Sequence, residues 1–180
     1  MPLFLQRPFE GEYLPYYDKY ITRVPDGDLI EMLARHADET IALLRHQPPD
    51  MADYAYAEGK WTVKQVVGHL CDAERIFDYR LLRIARSDAT PLAGFDENAY
   101  VPPGRFETRT LESLLEEFAA VRQATIALVA GLPDDAWSRS GVANGDGISA
   151  RAIAYIMLGH ELHHREVLLT RYLSGRPAPV

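Results

Sequence analysis

Between Ser149 and Tyr172 an apolar helical pattern is interrupted by histidines, in the run Gly159-His160-Glu161-Leu162-His163-His164-Arg165. No other stretch so narrows what this chain can become. His160 and His164 are four residues apart, so on a helix they lie about 40° apart around the axis and about 6 Å apart along it. With His160 at zero, Ile153, Ile156, Met157, Val167 and Leu168 all fall between about −40° and about 80°, and the two histidines straddle the centre of that stripe. His163 lies about 80° to one side and points less directly inward. One buried histidine is readily satisfied as a hydrogen-bonded core residue. Two on one apolar face would each need a partner in a core with few to offer, and a shared cation supplies both. Imidazole suits zinc, nickel, copper or iron, and two histidines make an incomplete site, so a third ligand must come from elsewhere. The run also fits His-Glu-x-x-His literally, as in zinc proteases, a reading that needs a third ligand downstream where sixteen residues follow His164.

The other helices follow from periodicity. Asp28 starts a helix carrying Leu29, Met32, Leu33, Ala37, Ile41 and Leu44, which Gln47-Pro48-Pro49 stops; His36 and His46 on it read as surface residues. Thr62 and Gln65 form a capping box for a long second helix reaching about Arg86, with His69 at the margin of its apolar stripe. A third helix runs from Thr110 to about Gly131. Ser149 caps the fourth. Ser87 to Arg109 is a long connection, suited either to a binding loop or to a crossover between parallel helices, and a glycine-rich loop spans Gly141–Gly147. The pattern predicts an all-α four-helix bundle with one long crossover, in a single domain over residues 1–180. Residues 1–24, rich in aromatic side chains, form an extension packed on it. Leu158, Leu162 and Leu169 make a second apolar strip opposite the histidines, which predicts a homodimer.

Composition limits the partners. With a net charge of −7 and no basic cluster, the chain is unsuited to nucleic acid. A single cysteine, Cys71, fits a reducing compartment. Lacking both a signal-peptide pattern and an apolar run of about 20 residues, the chain reads as cytoplasmic, with no membrane partner.

Three motifs, Trp61-Thr-Val-Lys-Gln-Val-Val-Gly-His69-Leu-Cys-Asp-Ala-Glu74, Phe95-Asp-Glu and Gly159-His160-Glu-Leu-His-His164-Arg, resemble in order and spacing the DinB/YfiT-like superfamily of metalloenzymes. The resemblance implies a four-helix bundle, often dimeric, that binds a divalent metal (zinc, nickel, manganese or iron) through His69, His160 and His164. It thereby supplies the missing third ligand and sets the protease reading aside, since Glu161 lies about 100° from His160. It further implies a transferase of the thiol S-transferase type, or a hydrolase, acting on a small-molecule substrate, with a low-molecular-weight thiol as possible cofactor. The 87–109 and 141–147 loops would shape the mouth of the site. Asp72, Glu74, Tyr100 and Tyr155 are candidates for orienting the ligand imidazoles. The alternative is a metal-binding stress-response protein without turnover.

Overall fold

The computed structural model describes residues 2–174; the ends of the 1–180 span lie outside them. Four long helices form the body: α2 (Leu29–Arg45), α3 (Val63–Ala85), α5 (Leu111–Ala130) and α6 (Ala150–Val167), the last continued by a π-helical turn, Leu168–Leu173. Each begins where the local chemistry dictates. Asp28 accepts from the amides of Ile30 and Glu31; Thr62 and Gln65 exchange side-chain and backbone hydrogen bonds as a capping box; Thr110 and Ser149 cap the third and fourth.

Around the bundle the order is α2, α5, α3, α6, so that α2 faces α3 and α5 faces α6 across the centre. Two apolar clusters fill it. One holds Leu33, Phe77, Leu81, Val129, Ile153 and Ile156; the other holds Ile41, Val66, Leu70, Leu114, Phe118 and Leu168. Followed along the chain, α2 and α6 run from the first cluster to the second, and α3 and α5 run the opposite way. The parallel pair α3 and α5 therefore needs the long connection between them. Between the clusters lies a layer of buried polar side chains: Thr40, His69, Glu74, Arg122, Thr125, His160 and Glu161.

Three details differ from the sequence-based expectation. The 87–109 connection contains a short helix, α4 (Glu97–Gly104), despite Pro102 and Pro103, begun by Asp96 accepting from the amides of Asn98 and Ala99. The glycine-rich loop is a hairpin, β1 (Ser140–Ala143) and β2 (Asp146–Ser149), turning on Asn144-Gly145, both with positive φ. Leu92 pairs with the hairpin, donating to Val142 and accepting from Asn144, and so ties the crossover to it. His36, read as a surface residue, is buried, with Nδ1 3.1 Å from Glu39.

The N-terminal segment packs along α6. It is anchored by the Tyr155 hydroxyl donating to Leu5, by Ser149 and Arg151 donating to Glu12, and by a single helical turn, α1 (Asp18–Ile21). Leu158 is wholly buried and Leu162 partly so, leaving Leu169 as the exposed member of the strip from which a dimer is expected. Most of that strip is internal to one chain. Among the described residues no helix is long and apolar enough to cross a membrane.

Candidate metal centre

His69 on α3 and His160 and His164 on α6 converge in the polar layer, their ligand nitrogens all within 4.8 Å of one another. The Nε2 atoms of His69 and His160 are 3.0 Å apart, and the three ring centroids are 4.6 to 4.9 Å apart. Two glycines make the approach possible. A Cβ on Gly159 would lie 2.1 Å from the Tyr20 carbonyl oxygen, and one on Gly68 would lie 2.4 Å from the Phe106 ring. The residue before His160 must therefore be bare for α1 to reach α6, and the residue before His69 for Phe106 to seat against α3.

Aromatic rings hold the imidazoles in place. Trp61 lies 4.8 Å from His69, and Tyr20 and Phe77 lie 5.3 and 5.7 Å from His160. Burial pushes the His69 pKa down to about 4; burial and the neighbouring imidazoles hold His160 and His164 well below the ordinary histidine range. All three are held neutral at pH 7, with a ring nitrogen of each drawn into one small region, and among the described residues no carboxylate lies within ion-pair distance of them. That donor set fits a divalent metal: neutral imidazole is a ligand for zinc, nickel and iron, and three such ligands leave coordination positions open.

The open side faces a cleft of about 500 Å³. Both loops expected at its mouth contribute, the crossover through Phe95 and Glu97 and the hairpin through Asn144. The N-terminal segment adds a wall that periodicity did not reveal, Tyr16, Tyr17, Lys19 and Tyr20, and α3 adds Arg80. His163 also lines the cleft, with a buried Nδ1 that has no hydrogen-bond partner among the described residues. Cys71 lies in the second apolar cluster, its thiol pushed up to about 12 by burial.

The structure turns the four candidate orienting residues to other partners. The Glu74 carboxylate accepts from Arg122 and Thr125; Tyr155 is committed to Leu5; Tyr100 is exposed, 5.3 Å from the Phe95 ring; Asp72 is 4.0 Å from Arg75. Glu161, which the wheel turns away from the histidines, enters the bundle centre, where Arg122 donates to it at 2.7 Å and Thr40 at 2.8 Å. Arg122 also donates to Glu74 and to the Leu33 carbonyl, so one guanidinium on α5 binds α2, α3 and α6. Burial alone would lower its pKa, but Glu161 and Glu74 raise it above the ordinary arginine value. Arg122 stands one turn after Phe118 on an apolar face, and a lone arginine there, opposite Glu74 and Glu161, was the available sequence signal for this network.

Comparison with known proteins agrees with this architecture. No curated protein matches the chain in sequence. Among solved structures it is similar to YfiT from Bacillus subtilis, described as a probable metal-dependent hydrolase with an unusual four-helix bundle topology. The TM-score is 0.67 at 20% identity, covering 89% of this chain and 87% of that one. It is also similar to a mycothiol-dependent maleylpyruvate isomerase, with a TM-score of 0.60 at 17% identity over 85% of this chain, which spans 60% of that longer protein. A third match is the DinB-like protein YjoA from Bacillus subtilis, with a TM-score of 0.58 at 18% identity, covering 84% of this chain and 95% of that one. The sequence model of the DinB superfamily matches residues 32–168, from α2 to the end of α6, and the chain belongs to that superfamily.

Proposed function

We propose that the protein binds a divalent metal through His69, His160 and His164 and is an enzyme acting on a small molecule, as a thiol S-transferase or a hydrolase. The observation that carries this reading is the convergence of three neutral imidazoles at the wall of an open cleft lined by both aromatic and polar side chains. The names of the similar structures, a metal-dependent hydrolase and a thiol-dependent isomerase, support it. When bound, such a metal supplies Lewis-acid chemistry, lowering the pKa of a coordinated water or thiol toward neutrality.

The chain's own part is positioning and exclusion. Trp61, Tyr20 and Phe77 pack against the His69 and His160 imidazoles and so restrain their planes. The Arg122 network fixes α6 against the other three helices and so sets the offset between His69 and the α6 pair. The mouth, built from α1, the crossover and the hairpin, opens beside the three histidines. A stress-response protein that only holds its metal would need no such opening.

The test is turnover by zinc-, manganese- or nickel-loaded protein with a thiol plus an activated halide, and separately with activated esters. Activity with one substrate class, lost in His164→Ala, is expected. Metal-loaded protein inert toward both classes would leave the non-catalytic alternative.

A further inference from the structure

Arg80 stands eleven residues after His69 on α3, three turns or about 16 Å along the axis and within about 20° of the same face. His69, Ala73, Phe77 and Arg80 therefore form one wall of the cleft, with the Arg80 guanidinium at its crossover end, against Ala93 and Phe95. Its side chain is buried, with 5% of its surface exposed. Its one hydrogen bond runs from Nη2 to the Ala93 carbonyl at 2.8 Å, and among the described residues no carboxylate lies within ion-pair distance. Arg122, the other buried guanidinium, has two carboxylates on it. A guanidinium largely withdrawn from water without a counter-ion is costly, and an anion that enters the cleft relieves that cost. Lys19 adds a second cation to the cleft lining against the single carboxylate of Glu97, in a protein whose overall charge is −7. The Phe95 ring lies 5.7 Å from the Arg80 guanidinium, and the donors not used on Ala93 are of the kind that bind a planar carboxylate in bidentate fashion.

We infer that Arg80 is the anchor for a ligand carboxylate, so that the cleft takes small carboxylic acids held at Arg80 with their other end toward the three histidines. This rests on the metal-enzyme reading only for what happens at that other end. The carboxylate can belong to a thiol or to a thiol-free substrate. Two probes separate these sources: glutathione, whose carboxylates are carried by a thiol, and adipate, which has no thiol; uncharged adipamide serves as control. Binding is measured by calorimetry and ligand-observed NMR on metal-free and zinc-loaded full-length protein, for wild type, Arg80→Gln and Arg80→Lys.

The expected result is that at least one carboxylate probe binds wild type, that Arg80→Gln weakens it by about tenfold or more, that Arg80→Lys retains part of the affinity, and that adipamide binding is unchanged. Loss with glutathione alone assigns the carboxylate to the thiol, and loss with adipate to the substrate. Circular dichroism and zinc content equal to wild type show that Arg80→Gln is folded; if it is not, Arg80→Lys against wild type carries the comparison, with a weakening confined to the carboxylate probes expected. Equal affinity in all three proteins, or no binding of either probe, overturns the inference. Zinc stoichiometry, read separately, fails only if the metal reading fails, and adipate binding to metal-free protein survives that failure.

Discussion

The buried polar layer of this bundle holds two clusters built on opposite principles. In one, Arg122 is surrounded by Glu74, Glu161, Thr40, Thr125 and the Leu33 carbonyl, so that its charge and donors are matched from within the chain. In the other, three imidazoles face one another, among the described residues no carboxylate pairs with them, and their pKa values are driven down by burial. His160 and Glu161 are consecutive residues of α6, one in each cluster. What separates them is completeness: the arginine network is a finished structural joint, whereas among the described residues nothing of opposite charge meets the histidines. Stability should therefore depend on the first cluster with or without metal, and on the second only through the metal.

The largest effect should come from breaking the finished cluster. Arg122→Met leaves two buried carboxylates uncompensated, a type of change that costs about 3–5 kcal/mol. Urea unfolding of metal-free protein should show that loss, and a loss below about 1 kcal/mol would mean that water reaches the carboxylates. Next comes the metal itself. Wild type at a free zinc concentration 100 times its Kd should gain about 2.7 kcal/mol, and His164→Ala should gain almost none. Equal stabilisation of both proteins would place the ion elsewhere.

Asp78, at the edge of the arginine network, gives a smaller, pH-dependent effect. The Thr125 hydroxyl has one proton but lies 2.6 Å from Glu74 and 2.8 Å from Asp78, whose other oxygen is buried without a partner among the described residues. Burial raises the Asp78 pKa to about 7; Glu74 adds to the rise, while Thr125 and Arg122 oppose it. Against an unfolded value of about 3.9, the folded state holds an extra proton between about pH 4 and about pH 7. Stability should thus fall as pH rises through that window and stay lower above it. Asp78→Asn removes the titration and, allowing for solvent screening at this partly buried site, should be more stable than wild type by about 1–2 kcal/mol at pH 8. Denaturation at pH 5 and pH 8 measures the difference, and a wild-type curve flat over that range would show that Asp78 stays ionised. The smallest effect should be His164→Ala in metal-free protein, within about 1 kcal/mol of wild type by the same assay, because no ion pair is broken.

Periodicity was enough for the four long helices and their caps, since Asp28, Thr62 with Gln65, and Ser149 sit where apolar stripes begin. The spacing of His160 and His164 put both on one face without further information. His69 was harder: it lies at the edge of its stripe, because what it faces is a cleft rather than packed core, and the resemblance supplied what periodicity lacked. The second tier of residues was misread for a physical reason. Helical wheels locate a face but not its depth or its partner, so the wheel set Glu161 about 100° from His160 without showing that it meets Arg122 across the bundle. The cleft wall from Tyr16 to Tyr20 was illegible because it has no period; only the folded chain shows that Gly159 is bare to receive it. The Asn144-Gly145 hairpin, by contrast, carried a turn signal in the sequence that a reading of glycines as flexible loop passed over.

The most direct test is metal content. Protein made without a histidine tag or chelator is analysed for zinc, nickel, manganese and iron, beside His69→Ala and His164→Ala with wild-type circular dichroism. The account predicts about one divalent ion per chain in wild type and little in either variant. No metal in wild type, even after incubation with these ions, or an unchanged content in both variants, would contradict it.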